Sequence, residues 1–525
     1  MAIRDLFRNR VNRMAESMDL FKKDVFELEG VPAFREYYNL FIFVWQAIYK
    51  GFYKAWHEVD CKTIRDPKGK KRIMNTMNAG KMACAQMARY VWNERCTISA
   101  SMNSGPEEDP LDGFLQYVLK DNRFGTAFGD LLEKAFALGG GALKEWVEIP
   151  KDENGNDIGE GKVRIGYTMA SQFVPTAWDN SRVTSGIFVS REARDGFYYS
   201  TVEWHRLDGT TYRVTNDLYR MPIKEAEPQN ILGWWYPLNE IYPLLSPDTT
   251  IYDVHNAFFQ YIRPFGANYA DDNSPLGMSI YAPALNTLHG LDIMFDSLQR
   301  EFVLGKKRII APVRAMKTTV LNGGKLERYF DADDEVWEAL ATDNPEDLKV
   351  IDNSVDLRIE PHLSGINGDL SILCAQIGFD PGTLSFDANQ GLKTATEVIS
   401  ENSKTFGTVK AHENIIADAL KEMVDAIFEL AVHYGLTWQG QSIESLVSGG
   451  YEVAVKFDDS IIQDKAADIN QGTLLVGAGL LSRKKFMTDT LGYTNEEADK
   501  ELKQIADESK NINAIEVNRL YGDLA

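Results

Sequence analysis

Apolar side chains recur at Ala395, Ile399, Phe406, Val409, Ile416, Leu420, Met423, Ile427, Leu430 and Tyr434, in steps of three, four or seven that put them on one helical face. The spacing predicts one amphipathic helix of about 40 residues within 391–435. A stretch punctuated by Pro381, Gly382 and Gly391, GFDPGTLSFDANQGL (378–392), leads into it. A loop of that length is uncommon unless it is functional. Upstream, residues 367–377 read as a short helix and 281–304 as a longer one.

Elsewhere the pattern changes period. Residues 79–93 and 111–138 keep helical spacing, separated by breaks around Gly105 to Pro110. Across 142–232 it turns to short alternating segments, LKEWVEI, KVRIGYTM, GIFVS, FYYSTVEWH and TYRVT, with turn signals at Asn154-Gly155 and Asp208-Gly209; this is antiparallel β structure. A β-like stretch at 451–457 precedes a helical C-terminal part, where Thr494-Asn495 ahead of Glu496-Glu497 marks a helix start over 495–509. The whole is α+β, and 525 residues suffice for roughly two to four substructures.

Composition adds exclusions. With 44% hydrophobic and 25% charged residues the chain is an ordered globular protein. Cys61, Cys84, Cys96 and Cys374 show no C-x-x-C pair, so buried, reduced thiols are expected and neither a disulfide framework nor a zinc knuckle. The N-terminus carries Arg4, Arg8, Arg10 and Arg13 without the apolar core of a secretion signal. The most apolar runs, 40–48 and 473–481, fall well short of the roughly 20 residues that span a bilayer. The amphipathic N-terminal positions (Ile3, Leu6, Phe7, Val11, Met14, Met18) suit a membrane surface or a helix docked on protein, the second being favoured.

The net charge of −21 argues against a broad grip on nucleic acid, which needs clustered Lys and Arg. Charge is nevertheless sorted locally. From 300 to 328 there are eight basic residues (Arg300, Lys306, Lys307, Arg308, Arg314, Lys317, Lys325, Arg328) against Glu301 and Glu327; from 331 to 347 there are eight acidic residues and no basic one. The two halves either pair, within or between subunits, or present charge to a partner.

Catalytic motifs fail on spacing. GNDIGEGKV (155–163) has one residue too many between its outer glycines for a phosphate loop, and Val stands where Ser or Thr should meet Mg²⁺. The glycines at 139–141 read as a flexible joint between helix and sheet. His412-Glu413 opens a zinc-protease motif, but Ile416 replaces the second His, so His412 is expected on a helix surface. The seven histidines are scattered, and acidic pairs such as Asp271-Asp272 are unremarkable among 77 acids. No catalytic residue, metal site or cofactor is assigned.

A series of strings in order along the chain carries a resemblance: WQAIYKGFYKAW (45–56), WNE (92–94), AFALGGGALKEW (135–146), YYSTVEWH (198–205), PLGMSIYAPALNTL (275–288), LGKKRIIAP (304–312), LRIEPHLSGINGDL (357–370), and KTATE (393–397) followed by NSKT. Together they resemble the portal proteins of tailed bacteriophages, especially long-tailed phages of Gram-positive hosts. The resemblance implies a portal fold assembled as a ring: a wing, helical then antiparallel β, over 1–280; a first stem helix over 281–305; a clip over 306–365; a second stem helix over 366–378; a channel loop over 379–392; a long helix returning through the wing over 393–455; and a helical crown over 456–525.

The resemblance further implies a non-enzymatic homo-oligomer of about twelve subunits at one capsid vertex, assembled in a bacterial cytoplasm. Duplex DNA passes through without sequence specificity. Implied partners are the terminase large subunit, a head–tail connector or adaptor, and the major capsid and scaffolding proteins, with no membrane. Twelve copies at −21 give a wall of about −250, which lets a polyanion slide. The implied DNA-channel residues are Asp380, Pro381, Thr383, Leu384, Ser385, Phe386, Asp387, Asn389, Gln390 and Lys393, with Lys306, Lys307 and Arg308 near phosphate at the stem–clip junction or in an intersubunit salt bridge. Another minor capsid or connector protein, or a DNA-processing enzyme, is the competing interpretation.

Overall fold

The computed structural model describes residues 23–63, 66–102, 109–150, 158–180, 182–223, 230–305, 309–312, 318–320, 326–328, 337–340, 351–352, 356–385, 403–458, 465–491, 493 and 498–506. Expectations placed on Arg4 to Arg13, Asn154-Gly155, Lys306, Lys307, Arg308, Phe386, Asp387, Asn389, Gln390, Lys393, Ala395, Ile399 and Asn495 lie outside those residues. The chain divides into two units, residues 1–389 with 407–457, and residues 390–406 with 458–525.

In the larger unit, β1 (Lys23–Asp24) is followed by a helical run, Arg35–Tyr37, a π-turn Tyr38–Ile42 and Phe43–Tyr49, then by the hairpin of β2 (Glu58–Thr63) and β3 (Asp66–Ile73). Helix α1 (Ala79–Val91) leads to β4 (Thr97–Met102), which pairs antiparallel with Tyr451–Lys456 as the alternation there predicts. The expected helix over 111–138 is two: α2 (Pro110–Asp121) and α3 (Phe124–Leu138). The break needs no Gly or Pro. Asn122 bonds Val163 O (2.9 Å) and the Ile165 N–H (3.0 Å) of a neighbouring strand, and Arg123 takes the left-handed conformation at φ 49.

The β region then forms as read. β5 (Gly141–Glu148) and β6 (Lys162–Met169) make a three-stranded sheet with the later β13 (Phe259–Ile262). β7 (Phe173–Asp179), β8 (Arg182–Arg194), β9 (Phe197–Asp208), β10 (Thr211–Pro222) and β11 (Ile231–Tyr236) form an antiparallel meander; β1 caps its β11 edge and β12 (Asp248–Tyr252) adds to β10. Asp208-Gly209 turns the chain between β9 and β10, with Gly209 at φ 60.

The three glycines at 139–141 are a crossing point and not a flexible joint. A Cβ on Gly139 would lie 2.3 Å from Gly277 O, and one on Gly140 would lie 2.1 Å from Tyr261 Oη, so no side chain fits.

Helices α4 (Leu285–Leu304), α5 (Ile359–Ile377) and α6 (Ser403–His433) follow. α5 begins at Ile359, well ahead of the expected Asn367, because Pro361 sits in its first turn, where the missing N–H costs no helical hydrogen bond. Between α4 and α5, Ile309–Pro312 pairs parallel with Trp337–Leu340 and antiparallel with Ile351–Asp352. The basic and acidic halves of this insertion therefore contribute adjacent strands of one chain.

On α6, Val409, Ile416, Leu420, Met423, Ile427 and Leu430 are all buried, as their spacing predicts; Tyr434 lies past the helix end and is exposed. Ala426 and Leu430 join Phe173, Phe188, Tyr212, Phe258 and Phe259 in the core beneath the large sheet. In the smaller unit, helices Lys465–Gly477 and Arg483–Asp489 meet where Phe486 crosses Gly472, and residues 498–506 are helical.

Candidate functional site

α4 and α5 run antiparallel, and side chains fix the register along their length. Glu301 accepts the Arg358 guanidinium at 3.0 and 2.9 Å and the Arg358 backbone N–H at 3.2 Å, which holds its carboxyl down to about 2. Ser297 meets His362 at 3.2 Å, and Thr287 donates to Gln376 Oε1 at 2.8 Å. Gly290 and Gly365 lie where the helices come closest: a Cβ on them would stand 3.2 Å from Asp369 and 3.4 Å from Met294.

The opposite side of α4 is gripped through two carboxylates one turn apart, both buried. Asp292 accepts from Thr76 Oγ1 (2.8 Å), from the Met77 N–H (2.8 Å) and from His57 Nε2 (3.0 Å). His57 Nδ1 takes the Tyr53 N–H at 2.8 Å, so the ring proton resides on Nε2 and points at Asp292. Asp296 receives both arms of Arg72 (2.7 and 2.8 Å) and the Asn75 N–H (3.0 Å). Burial opposes its ionisation, but Arg72 and Asn75 outweigh it and hold the carboxyl below its ordinary range. Trp56 stacks on His289 at 4.9 Å, completing the brace.

At its far end α5 stops on Gly378, left-handed at φ 88. Beyond it the chain does not swing free. Phe379 is fully buried, edge-on to Tyr90 of α1 at 6.0 Å. Asp380-Pro381-Gly382-Thr383 is a hydrogen-bonded turn, closed by Thr383 N–H to Asp380 O at 3.2 Å with Gly382 at φ 95, the pattern of a type II turn. Thr383 Oγ1 also donates to Asp380 O at 2.8 Å.

Burial divides the described residues of the expected channel set. Asp380 and Leu384 are each only 7% exposed and hold the turn, whereas Pro381 and Ser385 are exposed and Thr383 half-exposed.

His412 also departs from expectation. It is 3% exposed, its Nδ1 accepts the Phe265 N–H at 2.9 Å, and burial brings the imidazole down to about 4. A carboxylate–imidazole–phenol chain, Glu203–His205–Tyr212 (2.8 and 2.6 Å), has the form of a hydrolase relay, but it ends on a fully buried tyrosine, with Lys144 neutralising Glu203 at 2.6 Å. Among the described residues no His, Cys, Asp and Glu group is placed to hold a metal, and no helix is long and apolar enough to cross a membrane. Cys84 and Cys374 are buried free thiols, as expected, and Cys96 is half-buried.

The family model "Phage portal protein, SPP1 Gp6-like" matches residues 41–514. The chain belongs to this phage portal family. Among curated proteins no match is found. The match takes in every string that carried the resemblance, and several of those strings now have structural duties: Trp56 closes the first of them and, with His57, braces α4, while 275–288 and 357–370 lead into α4 and α5. Sequence reasoning missed the brace itself. Its signal was there, in two acids at i and i+4 on the buried side of an amphipathic helix.

Proposed function

We propose that about twelve copies of this chain close into a ring at one capsid vertex, the conduit for duplex DNA. The terminase large subunit drives the genome inward through it, adaptors join the clip (306–365) to make the head–tail connection, and the genome later leaves by the same route. The wing faces the major capsid and scaffolding proteins; the ring itself hydrolyses nothing. The reading is carried by the family match over 41–514.

Physical chemistry supports it. A subunit charge of −21 disfavours a tight, broad grip on DNA, which suits a conduit through which DNA slides. Lys306, Lys307 and Arg308 follow α4 in sequence after Gly305 and would bring positive charge to the stem–clip junction. Contact with passing DNA falls to Pro381, Thr383 and Ser385, together with Phe386, Asp387, Asn389, Gln390 and Lys393; Asp380 and Leu384 support them. The test is packaging of linear duplex DNA into procapsids carrying a variant that lacks 380–390. Rings should form and packaging should fail, and undiminished packaging would contradict the channel role.

A further inference from the structure

Resting on that channel reading, we propose that Thr408, on the long helix α6, is the positioning residue for the channel loop: its hydroxyl and its methyl fix the direction in which the chain leaves α5. Thr408 Oγ1 donates to Gly378 O at 2.8 Å. On the same residue, a Cβ added to Gly378 would lie 2.6 Å from Thr408 Oγ1, 2.8 Å from Cγ2 and 3.2 Å from Cβ. The contact is thus closed on both sides, and a glycine at φ 88 is the residue that fits it.

The rest of the loop root is built around that contact. The N–H groups of Gly378 and Phe379 both turn back to Cys374 O, the latter at 2.8 Å. The backbone N–H groups of Gly382 and Leu384 face the buried Cys374 sulfur. Phe379 and Leu384 are apolar studs on either side of the Pro381-Gly382 turn, at 0% and 7% exposure. Residues 378–384 are therefore a compact knot seated on α5, and the Thr408 contact ties that knot to α6. A displacement of α6 would reach the loop root through the Thr408–Gly378 hydrogen bond, at a point where the close approach leaves no room for a side chain on residue 378.

Holding the loop and holding the fold can be separated by substitution. In the full-length protein, Thr408→Val keeps the shape and removes the donor, and Thr408→Ser keeps the donor. Thr408→Val should form rings with a melting temperature within a few degrees of wild type, yet DNA packaged per procapsid should drop at least threefold; Thr408→Ser should recover most of it. Amide hydrogen exchange on the same proteins should rise about tenfold at 379–384 in Thr408→Val and stay unchanged in α4.

The variant lacking 380–390 is assayed alongside. If that deletion stops packaging while Thr408→Val packages normally, the positioning role is wrong and the channel reading stands. If the deletion itself packages normally, both fall. Should Thr408→Val fail to assemble, exchange at 379–384 decides alone, and protection equal to wild type would overturn the proposal.

Discussion

Two long helices of this subunit are held by different balances of apolar burial and hydrogen bonding. α6 is fixed by apolar burial: Val409, Ile416, Leu420, Met423, Ile427 and Leu430 are all at or below 2% exposure. α4 also buries Leu288, Leu291 and Leu298, but its direction is set by Asp292 and Asp296 on one side and the Glu301–Arg358 clamp on the other, while Ile293, Phe302, Val303 and Leu304 stay 49–62% exposed. Apolar packing is strong but tolerant of small rotations; hydrogen-bonded carboxylates set an angle. A helix that must project at a defined tilt and finish its packing against neighbours suits the second arrangement, and a helix that forms the core suits the first.

The largest expected break is on the core side. Leu420→Ala should cost about 2–5 kcal/mol in denaturant unfolding, through lost burial and the cavity left behind. A loss below about 1 kcal/mol would show that α6 does not anchor the unit. On the directional side, Asp296→Ala should cost about 2 kcal/mol, because Arg72 is stranded against α4. Since Asp296 titrates below its ordinary range, the stability it confers is complete above its unfolded value and is lost as pH falls through the folded one. The variant should accordingly show a flatter acid limb, and an unchanged limb would remove the brace from the account.

Glu145 sharpens the contrast from the basic side. It is 2% exposed, and burial pushes its carboxyl up to about 8 against the opposing pull of the neighbouring Gln260 side chain. Stability held by the neutral carboxyl is complete below its unfolded value and is lost as pH rises through the folded one. Glu145→Gln should therefore gain on wild type as pH climbs towards 9, on the order of 1–3 kcal/mol, read as melting temperature against pH. Parallel curves for the two proteins would mean that Glu145 ionises freely in the fold.

The smallest effect is on the exposed face of α4. Ile293→Lys should leave the stability of the isolated chain within about 0.5 kcal/mol, yet lower the yield of assembled rings in sedimentation. Equal yields would place that face against solvent.

What was legible in the sequence was what repeats locally. The α6 face, the strands of 142–232 and the turn at Asp208-Gly209 follow from period and turn chemistry. What stayed hidden depends on partners far along the chain. Asn122 ends α2 by bonding a strand some forty residues later, so 111–138 looked continuous. His412 looks like a surface residue until the Phe265 N–H is brought against it. The helix read over 367–377 starts at Ile359, because Pro361 fits a first turn that the pattern of apolar positions does not mark. At the candidate site, Pro381 and Gly382 announced the turn, but spacing carried no sign that Asp380 and Leu384 face inward, nor that Thr408 closes on Gly378.

The most direct test of the portal account is imaging of the purified full-length protein by negative-stain electron microscopy. The account predicts rings of about twelve subunits with an axial hole wide enough for duplex DNA. Monomers alone, across several assembly conditions, or closed particles without an axial hole, would contradict it.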